Sequence, residues 1–237
     1  FPRGGGQKCD EGTIGGIPVL DVYEEEGEIR HILPKAPEGD EVLCRIDLDI
    51  RLSHMQHHTA QHLISAAAWQ LFQNPTIIAR MEDPWGHIEF QRPMEDEELL
   101  ALLRRVEEVV KADLPIFCRY YTPEQAAQMD VRGKITPHER IRLVEVEGFD
   151  RNACGGTHCP STGLVGPVRF VGSKMVRGAY RLYFAAGQRA HDFALEQDLR
   201  TLRLGKYTEE ESPEDCEKRI ADALHRLPVL EESVQKL

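Results

Sequence analysis

The sequence predicts an α+β protein: an all-β segment over residues 1–50, a mixed segment over 51–192 and a helical segment over 193–237. Three observations lead there. Residues 1–50 alternate short apolar stretches with glycines, as hairpins with tight turns do. From Ser53 the apolar spacing changes to steps of three and four, the period of a buried helix. Helices mixed with separated strand-like runs over 51–190 then indicate an antiparallel or mixed sheet.

In chain order, the opening FPRGGGQKCDEGTIGGIPVLDVYEEEGEIRHIL places strands at 19–23 and 28–33 around Gly27. EVLCRIDLDIR continues the alternation at Val42, Cys44, Ile46, Leu48 and Ile50. A helix follows in SHMQHHTAQHLISAAAWQLF, with Ser53 as its N-cap and Asn74-Pro75 as its stop. MEDEELLALLRRVEEVVKADL is a second amphipathic helix, ended at Pro115, and TPEQAAQM starts a short one after Thr122. Strands are expected at 86–91, 116–121, 141–146, 165–171 and 180–185. After FAAGQRA the chain turns helical through Leu204, and residues 205–214 form a polar linker. In PEDCEKRIADALHRLPVLEESVQKL, Ile220, Leu224, Leu227, Leu230, Val234 and Leu237 recur at three- and four-residue steps, interrupted by Pro228, which should kink the helix. Such a stripe packs on its own domain or begins an oligomerisation region, a candidate homodimer contact. Its abrupt stop at Leu237, and a first residue that is not Met, suggest a chain cut from a longer one.

Composition narrows the function classes. No apolar run reaches the ~18–20 residues that span a bilayer, and nothing resembles a signal peptide. The six cysteines lack the density of a disulfide framework, so they are expected reduced, in a cytoplasmic setting. A net charge of −11 argues against broad, non-specific nucleic-acid binding. The charge is unevenly spread, however. Residues 114–206 carry 14 Lys and Arg against 9 Asp and Glu, a balance of +5 that leaves −16 elsewhere. A local polyanion site fits that segment, as does an ordinary solvated surface.

The chemistry concentrates in two places. His54, His58 and His62 lie four apart, on one face of the predicted helix. Ninety residues on, NACGGTHCPSTG holds Cys154 and His158 four apart around a Gly-Gly turn that lets thiolate and imidazole converge. His58, His62, Cys154 and His158 together make a Cys/His₃ set suited to one Zn²⁺. Four ligands saturate zinc, so His54 reads as a neighbour. His57 falls on another face, and Cys159 is too close to His158 for both to chelate without strain. Helical histidine pairs are common and mostly not ligands; the conjunction with the glycine-turn pair is what favours metal.

HTAQHL with CGGTHC resembles the zinc-motif pair of the alanyl-tRNA synthetase editing domain and its free-standing relatives. FPRGGGQ and DEGTI are similar to the family's glycine-rich opening, and RLVEVEGFDRNACGGTH, STGLVGPVRFV and RLYFAAGQRA to the run through its second motif. The resemblance covers about residues 1–190, in the family's order. It implies a small β-barrel-like domain over 1–50, a two-layer zinc-containing editing domain over 51–192 and a helical C-terminal segment. It further implies hydrolysis of the ester joining serine or glycine to tRNA(Ala), with the tRNA acceptor end as partner and no membrane. Gln61, beside a ligand, and the ligand Cys154 are the residues assigned to the chemistry. Gly4, Gly5, Gly6 and Gln7 are implied to border the substrate pocket. Thr59 and Thr76 are weaker recognition candidates, and Lys174 and Arg177, flanking a glycine-containing loop, are favoured for the acceptor end.

Zinc could activate a water, polarise the ester carbonyl or hold the substrate's amino group. Yet four protein ligands fill a tetrahedron, whereas catalytic zinc keeps a position open. The same residues therefore also allow a structural-zinc RNA-binding module, an editing fragment of a full synthetase, or editing of Ser-tRNA(Thr).

Overall fold

Asp47 decides where the first long helix begins. Its carboxylate accepts hydrogen bonds from the backbone N–H groups of Asp49 and Ile50, each at 3.1 Å. Two orphan donors of the first turn are thereby satisfied. The helix, α1, consequently runs Leu48–Phe72, six residues earlier than Ser53 as a cap would place it, and Leu48 and Ile50 are helical instead of extended. Gln73, with φ 52°, closes it in the left-handed conformation.

The computed structural model describes residues 1–4, 6–39, 41–133, 135 and 139–235, with side chains to residue 228. Before α1 come β1 (Gly12–Ile14), β2 (Ile17–Pro18), β3 (Asp21–Glu25), β4 (Glu28–Ile32) and β5 (Cys44–Ile46). They correct the barrel expectation. β1 pairs with β2 and β5, while β3 pairs with β4 alone, so among the described residues no ring of strands closes. Strands of two to five residues are too short to tilt around an enclosed interior. The β3–β4 hairpin itself sits where expected, its turn carrying positive φ at both Glu26 and Gly27.

After α1 follow β6 (Thr76–Arg80), β7 (Gly86–Phe90), α2 (Asp96–Lys111), β8 (Ile116–Tyr121), α3 (Pro123–Ala127), β9 (Ile141–Val146) and β10 (Asp150–Ala153). A 3₁₀ turn (Gly163–Val165), β11 (Val168–Val176) and β12 (Ala179–Ala186) complete the α+β region. Every pair of named strands is antiparallel. One sheet has the order β11-β12-β7-β6 and another β10-β9-β8. β11 starts three residues later than expected because Gly166, at φ 71°, and Pro167 break the chain after the 3₁₀ turn.

α1 packs against α2 and against β12, β7, β6 and β10. Its residues from His57 to Ala68 are buried without interruption, and Ala66, Ala67 and Ala68 let neighbouring backbones come close. Leu63, Ile64, Leu102, Val106, Ile88, Phe90, Leu182 and Phe184 fill the space between helices and sheet. A second, smaller core gathers Ala126, Ile141 and Leu143 on the other face of β9.

Contacts divide the chain into units Phe1–His191 and Asp192–Leu237. The second contains most of α4 (Gly187–Thr208) and all of α5 (Pro213–Gln235), which continues through Pro228. Ser212 caps α5 by accepting from Asp215 N at 3.1 Å, and Thr208 Oγ1 donates to buried Cys216 Sγ at 3.1 Å. Ile220, Leu224 and Leu227 of the apolar stripe are exposed; the side chains of Leu230, Val234 and Leu237 lie outside the described residues. Among the described residues, no helix is long and apolar enough to cross a membrane.

Candidate metal centre and adjoining cavity

Helix geometry sets His58 and His62 one turn apart in the buried stretch of α1, their ring centroids 5.3 Å apart. The loop after β10 brings Cys154 and His158 over them. His158 lies 4.4 Å from His58 and 4.5 Å from His62, centroid to centroid. One donor atom from each of the four residues falls within 4.8 Å of all the others. Cys154 Sγ is 3.3 Å from His58 Nε2 and 3.4 Å from His158 Nε2. Two ligands of tetrahedral zinc, with bonds of 2.0–2.3 Å, are about 3.5 Å apart, so the spacing fits a metal ion.

The chemistry of the donors fits as well. Burial pushes the His58 imidazole down to about 4. Burial, then the competing imidazoles of the cluster and the nearby arginines, hold His62 and His158 well below the usual range. All three are therefore neutral and offer lone pairs. Burial also pushes the Cys154 thiol up, so a dication is what would make a thiolate favourable there. His62 Nδ1 is buried without a hydrogen-bond partner among the described residues. These residues could hold a metal; no ion is part of the structure.

Gly156 is required by the crowding of this loop. A Cβ there would land on the His58 ring. Arg142 donates to the Cys154 carbonyl oxygen and fastens the loop from β9. Thr59 is buried, accepting from Cys159 N at 2.9 Å and lying 3.4 Å from His158 Nδ1. His57 faces away from the cluster: its Nδ1 meets the Ser53 carbonyl at 2.8 Å and its Nε2 accepts from Ala186 N at 3.4 Å. His54 is buried outside the four-residue group.

One turn past His62, a cavity of about 480 Å³ opens along α1. Ser65, Trp69, Thr76, Arg132, Phe149 and Asp150 are among its walls. Gln61 Nε2 and Thr76 Oγ1 both donate to Ser65 Oγ, at 2.8 and 2.7 Å. Gln61 and Thr76 thus join in a short chain that links the metal helix to the cavity. Ser65 was not singled out by sequence, although it is three residues beyond His62 and shares its side of α1. The Arg132–Asp150 pair on the far wall carried no such signal, since its residues are far apart in the chain.

Gln7, from the glycine-rich opening, reaches the cluster directly. Its Oε1 is 2.8 Å from His58 Nδ1 and accepts from Thr157 N and Thr157 Oγ1, at 3.0 and 3.1 Å. Gly4 exchanges backbone hydrogen bonds with Gln7, and Gly6 has φ 85° with its carbonyl accepting from Met81 N. Gly5, like Lys134, lies outside the described residues. Lys174 and Arg177 sit on the β11–β12 hairpin and not in the cluster, Lys174 Nζ 5.5 Å from the centre of the Tyr183 ring. Several other arginines of the basic segment are paired internally: Arg132 with Asp150, Arg151 with Glu145, Arg169 with Glu107 and Arg181 with Glu89.

Residues 141–183 match the family described as the threonyl and alanyl tRNA synthetase second additional domain. An alanine–tRNA ligase of Methanopyrus kandleri is 36% identical over 209 residues, which cover 80% of this chain and 22% of that protein. The alanyl-tRNA editing protein Aarsd1 of Danio rerio is 34% identical over 200 residues, or 82% of this chain and 48% of that one. Aarsd1 of Bos taurus is 35% identical over 196 residues, or 80% and 44%. The chain thus spans about half the length of these editing proteins and about a fifth of the ligase.

Proposed function

We propose a hydrolytic function for this chain, which belongs to the family that alanyl-tRNA editing proteins share with alanine–tRNA ligases. The reaction is cleavage, in trans, of the aminoacyl ester of mischarged tRNA(Ala), chiefly Ser-tRNA(Ala) and also Gly-tRNA(Ala). One observation carries this reading: the largely buried Cys/His₃ group is joined, through the chain Gln61–Ser65–Thr76, to a cavity that mixes polar and apolar walls.

His58, His62, Cys154 and His158 would hold one Zn²⁺, which would supply Lewis acidity towards the ester carbonyl. Gln61 is held by Ser65, and its carboxamide oxygen is the group that accepts the seryl hydroxyl. Alanine has no hydroxyl and leaves that acceptor unpaired, a stronger discrimination than an apolar pocket achieves against one added group. Gly4, Gly6 and Gln7 border the amino-acid end, with Thr59 and Thr76 beside it. Lys174 and Arg177 meet phosphates of the acceptor stem.

Purified, zinc-loaded protein should deacylate Ser-tRNA(Ala), leave Ala-tRNA(Ala) largely intact and act more slowly on Ser-tRNA(Thr). Cys154→Ala should lower the rate at least roughly a hundredfold. Faster turnover of Ser-tRNA(Thr) would move the substrate to the threonine system. The filled set of four protein ligands favours a second reading, a structural-metal RNA-binding module. Tight tRNA binding without hydrolysis by the wild type would establish that reading and overturn the enzyme.

A further inference from the structure

We infer that Gln7 is a positioning residue for the metal ligand His58, so that the glycine-rich opening loop sets how tightly the cluster holds its ion. The inference rests on the zinc reading above. Gln7 is 4% exposed, and a single atom of its carboxamide faces three donors. One of them, Thr157 N–H, can only donate, so the shared atom is the carbonyl oxygen and not the amide nitrogen. A carbonyl oxygen cannot donate in turn. The proton between Gln7 and His58 therefore belongs to Nδ1, and His58 is held with the lone pair of Nε2 directed at Cys154 Sγ, 3.3 Å away.

The brace acts on both halves of the cluster at once. His58 belongs to α1, while Thr157 precedes the ligand His158 on the loop, and one oxygen ties the two together. Gly156 allows this closeness, since a Cβ there would also lie 3.0 Å from Gln7 Oε1. The loop bearing Gln7 is itself fixed: Gly4 and Gln7 exchange two backbone bonds, at 3.1 and 2.9 Å, and Met81 N donates to the Gly6 carbonyl at 3.0 Å. The other imidazoles are held more loosely. His158 Nδ1 has Thr59 Oγ1 at 3.4 Å, and His62 Nδ1 has no partner among the described residues. Gln7 Nε2 is likewise buried without a partner among the described residues. An amide at this position carries a desolvation cost that an apolar side chain of the same length would avoid, so filling space does not account for it.

The test is zinc competition against a chromophoric chelator, with Gln7→Met removing the acceptor at equal length and Gln7→Glu keeping it. Gln7→Met should weaken zinc binding about 10- to 100-fold, whereas Gln7→Glu should stay within about threefold of wild type. Melting of the zinc-stripped proteins shows whether either variant is misfolded. A wild-type measurement stands apart from folding of the variants: ¹⁵N–¹H spectra of the zinc-loaded protein should show His58 protonated on Nδ1 and not on Nε2. Wild-type affinity in folded Gln7→Met, equal losses in both variants, or a proton on His58 Nε2 would each overturn the inference. Absence of zinc binding by the wild type would instead defeat the metal reading on which it rests.

Discussion

The guanidinium of Arg132 meets the carboxylate of Asp150 in a two-point fork, Nε to Oδ1 and Nη2 to Oδ2, both at 2.9 Å. The pair stands in the cavity wall, with the Asp150 side chain 4% and the Arg132 side chain 16% exposed. Asp150→Ala would leave a half-hidden cation without its counter-charge, a loss of about 3 kcal/mol in unfolding free energy. Asp150→Asn, which keeps one acceptor, should lose less. Urea melts of the two variants check the order, and equal stability of Asp150→Ala and wild type would show that the pair holds nothing together.

Gly156→Ala places a methyl group on the His58 ring. The ring must turn or the loop must lift, and either separates Nε2 from Cys154 Sγ. Zinc affinity should fall about tenfold or more, comparable to loss of a group that orients a ligand. Isothermal titration with zinc measures it; unchanged affinity would mean the loop can shift without moving a ligand.

Chelation should destabilise the chain. The donors come from α1 and from the loop after β10, so a bound ion staples the two. At free zinc about a thousandfold above its dissociation constant, binding contributes about 4 kcal/mol, lost when a chelator is added. Calorimetric scans with chelator, then with zinc restored, should show a melting temperature that falls and recovers. Identical scans would place the cluster outside the folding equilibrium.

Glu145 gives the fold an acid-sensitive point away from the metal. Burial opposes its ionisation, but the Tyr121 hydroxyl and the Arg151 guanidinium beside it outweigh that and hold its carboxyl below the ordinary value of 4.5. A carboxyl with a lowered folded pKa contributes stability that is complete above the unfolded value and lost as pH falls through the folded one. Wild type should therefore lose more unfolding free energy than Glu145→Gln between about pH 5 and about pH 3. Parallel curves for the two proteins would remove Glu145 from the acid response.

How much of this was legible in the chain varies with the origin of the signal. β8, β9 and α3 appear where alternation and the Thr122 cap place them, because those signals are local. The start of α1 was misplaced because Asp47 and Ser53 are both good caps, and only the observed bonds to Asp49 and Ile50 show which one serves. β10 escaped notice because DRNA has no apolar alternation; its pairing with β9 is a matter of backbone hydrogen bonds. The β-barrel expectation failed because closure depends on which strands pair, and pairing is not written in any one strand.

The sequence alone specified the four donors His58, His62, Cys154 and His158, since helical phase and a glycine turn are properties of short segments. Tertiary structure decided that the two segments meet, that Gln61 and Thr76 join through Ser65, and that Gln7 rests on His58 across 51 positions. Periodicity reports which face of an element is buried. It holds no record of which distant residue will be buried against that face, because that choice is made by packing of the whole chain.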